Sequence, residues 1–187
     1  MRPRSVAVAQ DDKGLAVCDT LIGMETTNEI LIRAPAADVF ALAANTERWP
    51  QILPHYRWVR RLRGADDHKV VEMAARRDFY PVRWVAVQHN FREEHRITFR
   101  HVRGISRGME VEWTITPTPD GAHVRIWHEF HSSLPIVGEF FAHRIVGQLF
   151  VSNIAGKTLR EIKRLAERGG DSASRETTDA ARSAPAH

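Results

Sequence analysis

From Gly108 to Thr116 apolar and polar residues alternate, with Met109, Val111, Trp113 and Ile115 set against Glu110, Glu112, Thr114 and Thr116. A period of two marks a strand with one buried and one wet face. Strand-like stretches also cover Tyr56–Arg63, His68–Arg76, Val82–Arg92, Arg96–Val102 and Ala122–His131, with a shorter apolar-rich one at Asn28–Ile32. The breaks between them are turn formers: Gly64-Ala65-Asp66-Asp67, Glu93-Glu94, Arg103-Gly104-Ile105-Ser106 and Pro117-Thr118-Pro119-Asp120-Gly121. The pattern predicts an antiparallel sheet.

Elsewhere the period lengthens. Ala34 to Ala43 carries Pro35 early and many helix formers, so a helix starts near Pro35. Trp49-Pro50-Gln51-Ile52-Leu53-Pro54 sits between two prolines and holds only a helical turn. Phe141, Ile145, Leu149, Ser152, Ala155, Leu159, Ile162 and Ala166 recur at steps of three and four. That predicts an amphipathic helix from about Glu139 to Arg168. A sheet with segregated helices is an α+β fold. A twisted sheet curved around one long helix leaves a gap between them, where an apolar ligand fits.

Composition narrows this picture. The chain has 187 residues, 43% hydrophobic and 27% charged, with a formal net charge of +4. Residues 170–187 contain no Leu, Ile, Val, Phe, Tyr or Trp. A segment without such residues cannot offset its ordering entropy, so a disordered tail is expected there. Residues 1–25 show no clear period and are expected to be loose. One folded domain is therefore expected over 26–169. Cys18 stands alone, which rules out a disulfide framework or a thiolate metal cage within this chain. No stretch reaches the roughly 20 apolar residues of a membrane span, and Met1–Gly23 makes a poor signal peptide. A soluble cytoplasmic protein without membrane insertion is the expectation.

Candidate chemistry centres on the strands. Five tryptophans are many for this length. Trp113, with Met109 and Val111, lies on the apolar face of its strand, and Trp84 sits in another strand pattern. Such residues either pack a core or wall a flat slot for a planar ligand. His128, between Ile126 and Phe130 on one strand face, is the best general acid/base candidate, because an imidazole titrates near neutrality. It can equally be a core histidine bonded to a neighbour. Arg76 can polarise a ketone or hold an enolate, or lie on an exposed strand face. Tyr56 can donate a hydrogen bond to a ligand oxygen, or stand half-buried at a strand start.

Other classes find little support. Among ten histidines, His128 and His131 are three apart and point to opposite strand faces. The rest show no ligand spacing, so no metal is expected. Gly-rich phosphate loops and GxSxG are absent, so no nucleotide cofactor and no serine nucleophile are expected. Arg57, Arg60, Arg61 and Arg63, with Arg76 and Arg77, form a basic stretch that meets an acidic partner or is simply solvated. No nucleic-acid motif accompanies it, and no nucleic-acid partner is expected. Phe140 and Phe141 form either a lip over the cavity or a staple for the long helix.

A set of residues carries a resemblance. These are Ile32-Arg33-Ala34-Pro35 followed by Val39-Phe40, then Glu47-Arg48-Trp49-Pro50 and Tyr56, and finally Leu159-Arg160-Glu161-Ile162-Lys163. In these residues and its element order, over about Thr26 to Glu167, the chain resembles the polyketide cyclase/dehydrase family of the START-like helix-grip superfamily. The resemblance implies a seven-stranded curved antiparallel sheet wrapped around a long C-terminal helix, with two short helices after the first strand.

Within the family the chain looks most like the aromatase/cyclases of bacterial aromatic polyketide synthesis. The likeness lies in the ERWP segment, a Tyr seven residues after its Trp, and a Trp in each of two later strands. It implies a poly-β-ketone held by an acyl carrier protein, closed by aldol condensation and dehydrated, with no metal or organic cofactor. It also implies that Trp49, Tyr56, Arg76, Trp84, Trp113 and His128 line the cavity. There are departures: His128 stands where relatives carry Gln, and Ser152, with Asn153 beside it, stands at their pocket Asn. The register of Arg76-Arg77 is open by one residue. The competing reading is a carrier or sensor of a quinone, lipid or isoprenoid, in which the same polar groups only orient the ligand. A protein-interaction module is the third.

Overall fold

The computed structural model describes residues 23–77, 80–104, 106–131 and 154–182. Seven strands form one antiparallel sheet: β1 (Gly23–Ile32), β2 (Tyr56–Gly64), β3 (His68–Arg77), β4 (Tyr80–Phe91), β5 (Arg96–Gly104), β6 (Met109–Thr118) and β7 (Gly121–His131). Their order is β1-β7-β6-β5-β4-β3-β2, so strands β2 to β7 lie beside their chain neighbours and β1 closes on β7. The α+β reading and the seven-stranded sheet stand. β1 begins at Gly23, opposite His131, five residues before its apolar part. Thr26 and Thr27 lack an apolar pattern, but β7 supplies the ladder that makes them a strand.

Curvature comes from breaks in register. β2 is irregular between Tyr56 and Trp58 and between Arg61 and Arg63, and the β4–β5 ladder between Val85 and Ala86. Bulges of this kind bend a strand and increase its twist. Gly121 sharpens the last turn: at φ +132, a Cβ there would lie 2.1 Å from the Ile32 carbonyl oxygen. The outer strand β2 exposes Arg57, Arg60 and Arg63, and its Leu62 is 54% exposed.

Pro35 caps α1 (Ala36–Ala44), its carbonyl accepting from the N–H groups of Asp38 and Val39 at 3.0 and 3.2 Å. A 3-10 turn at Thr46–Arg48 leads to α2 (Trp49–Ile52), which has proline in its first turn. The long helix, α3, spans Gly156–Arg182. Ala155, Leu159, Ile162 and Ala166 are all buried, as the three-and-four stepping requires. The helix continues past Arg168, where its apolar stripe ends, through much of the segment expected to be a tail. Ala, Glu and Arg there favour helix without packing, a preference that hydrophobic periodicity does not register. The expected first half of this helix, with Phe140 and Phe141, lies outside the described residues.

Two bonds pin α3 to the sheet. Lys163 Nζ donates to the Leu31 carbonyl at 2.7 Å, and the Arg33 N–H donates to Glu167 Oε1 at 2.9 Å. A buried polar network secures the α1–α2 connection. Thr46 donates to Gln88 Oε1 at 2.8 Å, and Gln88 Nε2 donates to the Ala44 carbonyl and to Asn90 Oδ1, both at 2.8 Å. Beside it, Glu47 accepts from Lys69, which is 2% exposed, and from Arg61. Partial burial works against ionisation of Glu47, but these two partners outweigh it and hold the carboxyl below its usual range. The ERWP segment thus has an anchor, Glu47, two residues before Trp49.

Candidate functional site

The described residues line a cavity of about 60 Å3 between the concave side of the sheet and α3. Trp49 from α2, Tyr56 from β2, Met73 from β3 and Trp84 from β4 form one side. Phe99 and His101 of β5, Met109, Val111 and Trp113 of β6, and Ile126 and His128 of β7 form the other. Ile154, Ala155 and Thr158 close it. Strands β5, β6 and β7 contribute residues two apart, because only alternate side chains face inward.

Trp49 is the hub of the wall. Its ring meets Tyr56 edge-on at 4.9 Å and lies 6.1 Å from Trp113 and 6.3 Å from Phe99. Its indole N–H donates to the Leu42 carbonyl at 3.2 Å, which fixes the ring's rotation. Trp84 lies 6.2 Å from Tyr56 and stacks on His101 at 5.9 Å, with 21° between the planes. The three tryptophans are at most 4% exposed.

The polar groups of the wall are uncharged near neutrality. Burial lowers the pKa of His101 to about 3, with the neighbouring His128 adding to the effect. Its Nδ1 is 2.6 Å from the hydroxyl of the fully buried Ser106. Burial likewise lowers His128 to about 4, opposed by a hydrogen bond with the backbone of Thr26. That bond favours the protonated ring, so the ring donates there, and His128 Nδ1, buried without a partner, keeps its lone pair. Burial pushes the Tyr56 hydroxyl well up, slightly offset by the Thr158 hydroxyl, so it stays a donor. His55 Nε2 lies 2.9 Å from Thr158 Oγ1, and Thr158 itself donates to the Ile154 carbonyl at 2.8 Å. His55 is therefore the donor in that pair, and burial and then the charge of Lys157 lower it to about 4.

The family model described as polyketide cyclase / dehydrase and lipid transport matches residues 24–167. The chain belongs to this family. Among solved structures, the Zhui aromatase/cyclase from Streptomyces sp. R1128 is similar at TM-score 0.70 and 17% identity, covering 79% of this chain and 95% of that one. The di-domain ARO/CYC StfQ of the steffimycin pathway gives 0.67 at 19%, covering 80% of this chain and 52% of that one. Norcoclaurine synthase from Thalictrum flavum, in complex with dopamine and hydroxybenzaldehyde, gives 0.64 at 16%, covering 86% and 96%. At such identities the likeness establishes the shared helix-grip fold. No curated protein matches the sequence.

Against this polyketide cyclase/dehydrase fold, the expected site residues separate. Trp49, Tyr56, Trp84, Met109, Val111, Trp113 and His128 meet at one cavity. Phe130 is buried in the core, off the cavity wall. Ser152 and Asn153 lie outside the described residues, as does the side chain of Arg77. Arg76 is exposed and does not line the cavity. Val71, Met73 and Ala75 occupy the buried side of β3, so the period of two turns Arg76 outward. Ligand spacing does not single out His101. The signal for it was parity, since Ile97, Phe99 and His101 share one strand face. Among the described residues no group of three or more His, Cys, Asp or Glu is placed to hold a metal, and no helix is long and apolar enough to cross a membrane.

Proposed function

We propose that the cavity binds a planar aromatic or polyketide molecule and promotes its aldol cyclisation and dehydration. The observation that carries this reading is the convergence of three tryptophans, Tyr56 and a neutral His128, whose buried Nδ1 has no partner, on one cavity. The aromatic walls hold a flexible polyketone in one bend, and most of the rate comes from that orientation. His128 takes a proton from a carbon between two carbonyls, and the resulting enolate carbon attacks a second carbonyl carbon. Burial disfavours an isolated imidazolium, so the transfer goes forward where the enolate forms beside it. Tyr56 donates to the enolate oxygen, a role that exposed Arg76 does not fill. The proton returns to the new alkoxide once the carbon–carbon bond has closed the ring. His128 then takes the remaining proton from the same carbon and passes it to the hydroxyl, which leaves as water as the carbon–carbon double bond forms. A cavity of about 60 Å3 is well below the 300 Å3 or so of common ligand sites, so the walls part to admit such a substrate.

A polyketone of this kind arrives on an acyl carrier protein, and the exposed Arg57, Arg60 and Arg63 of β2 offer an acidic carrier a complementary edge. Tyr56→Phe and His128→Ala, assayed in a reconstituted synthase, are expected to change the product pattern while the fold is retained. Unchanged products from both would remove the mechanism.

One observation favours a second reading, a non-catalytic carrier or sensor of a quinone, lipid or isoprenoid. The described lining contains no Lys or Arg to hold an enolate. Mass spectrometry of ligand co-purified from the native host separates the two. A stoichiometric quinone or lipid supports the carrier, and an aromatic polyketide supports the cyclase.

A further inference from the structure

The described lining of the cavity includes two histidines on different strands, His101 of β5 and His128 of β7, near enough for His128 to lower the pKa of His101 further. His101 is fixed twice, by Ser106 at its Nδ1 and by stacking on Trp84. His128 keeps an unpartnered Nδ1 in a buried setting, where an unmet polar atom is costly. Tyr56 adds a hydroxyl, and the described lining carries no cationic side chain. A neutral imidazole offers one donor and one acceptor, so the pair suits a group that can both give and take a hydrogen bond. A carboxylate or phosphate placed there loses its hydration and meets no counter-charge among the described residues.

We propose that the His101–His128 pair makes the cavity selective for uncharged hydroxyl-bearing rings, phenols and enols, and against the corresponding carboxylates. The ligand hydroxyl donates to His128 Nδ1 and accepts from His101 or Tyr56, while its ring lies against the tryptophans. Burial keeps both imidazoles neutral at pH 7, so a carboxylate, which brings no proton, meets no imidazolium, whereas an enolate forms by handing its own proton to His128. This inference rests on the reading of the cavity as a ligand site, and it names the ligand chemistry that the site accepts.

The test is calorimetric titration of the full chain at pH 7.5 with p-cresol, p-xylene and p-toluate, which share one ring and differ at one substituent. Cresol is expected to bind about ten-fold more tightly than xylene, the worth of one buried hydrogen bond. Toluate is expected to bind about a hundred-fold more weakly than cresol. His128→Leu should bring cresol and xylene together. His128→Asn, whose amide oxygen can take the place of Nδ1, should keep part of the preference if the leucine variant folds poorly. Imidazole 15N spectra should show His128 Nδ1 unprotonated and shifted on adding cresol. Equal binding of all three compounds, or tighter binding of toluate, overturns the selectivity and leaves the cavity a ligand site. Binding of none overturns both.

Discussion

Two buried polar clusters lie on the same sheet and solve opposite problems. Around Gln88, side chains and carbonyls pair with one another, and Lys69 meets Glu47 across the α1–α2 connection. Around His128, one ring nitrogen has no partner, and the neighbouring rings stay neutral. A satisfied network rigidifies, whereas a half-satisfied one is kept at a cost in stability that something else must justify. On the proposed reading, the paired network holds the fold and the unpaired ring nitrogen belongs to the ligand site.

Acid should separate the clusters most strongly. The folded-state pKa values of His101 and His128 lie at about 3 and about 4, below the ordinary 6.5, so the unfolded chain binds more protons across that interval. Their contribution is complete above pH 6.5 and is lost as the pH falls toward 4 and then 3, on the order of 3 kcal/mol for each. Glu47, also held below its ordinary 4.5, contributes a loss only in more acid solution. Urea midpoints measured from pH 7 to pH 4 should therefore fall from about pH 6 onward. A flat profile down to pH 5 would place these imidazoles in water.

Glu47→Ala comes next. It leaves Lys69 buried without its carboxylate, and a loss of about 3 kcal/mol is expected in chemical denaturation. A smaller change, below about 1 kcal/mol, would show that water reaches the ammonium group. His128→Leu should cost less, because the unmet Nδ1 it removes offsets the bond that the ring gives up to the backbone of Thr26. Stability is expected to stay within about 1 kcal/mol of the parent while products or bound ligand change. Arg76→Ala marks the lower end of the series: it should leave stability within about 0.5 kcal/mol and products unchanged, since its side chain faces solvent. Altered products from that variant would bring Arg76 back to the chemistry.

The sheet was legible because burial of one face imposes a period of two, and β6 carries that period along most of its length. Strand β1 was legible only in part. Its first residues owe their conformation to β7, and pairing between distant segments leaves no local pattern. The aromatic wall could be read from parity, and the same rule places Arg76 outside once Val71 and Met73 are known to be buried. What a one-dimensional pattern could not hold was depth. His101, His123 and His89 look alike in the chain, yet only His101 is stacked on Trp84 and bonded to a buried serine. The Glu47–Lys69 pair was hidden for a similar reason, since the residues are 22 apart and meet only through the turn between α1 and α2.

Strand β2 has a consequence of another kind. An open sheet keeps an outer strand with unpaired backbone groups, and such an edge can template pairing with a second molecule. Here Arg57, Arg60 and Arg63 project from that strand, so two copies approaching edge to edge repel each other. The guard is ionic, and its reach shrinks from about 10 Å at 0.1 M salt to about 3 Å at 1 M. Colloidal behaviour should therefore depend on ionic strength, with dispersed molecules in dilute buffer and growing association as salt lets β2 edges meet.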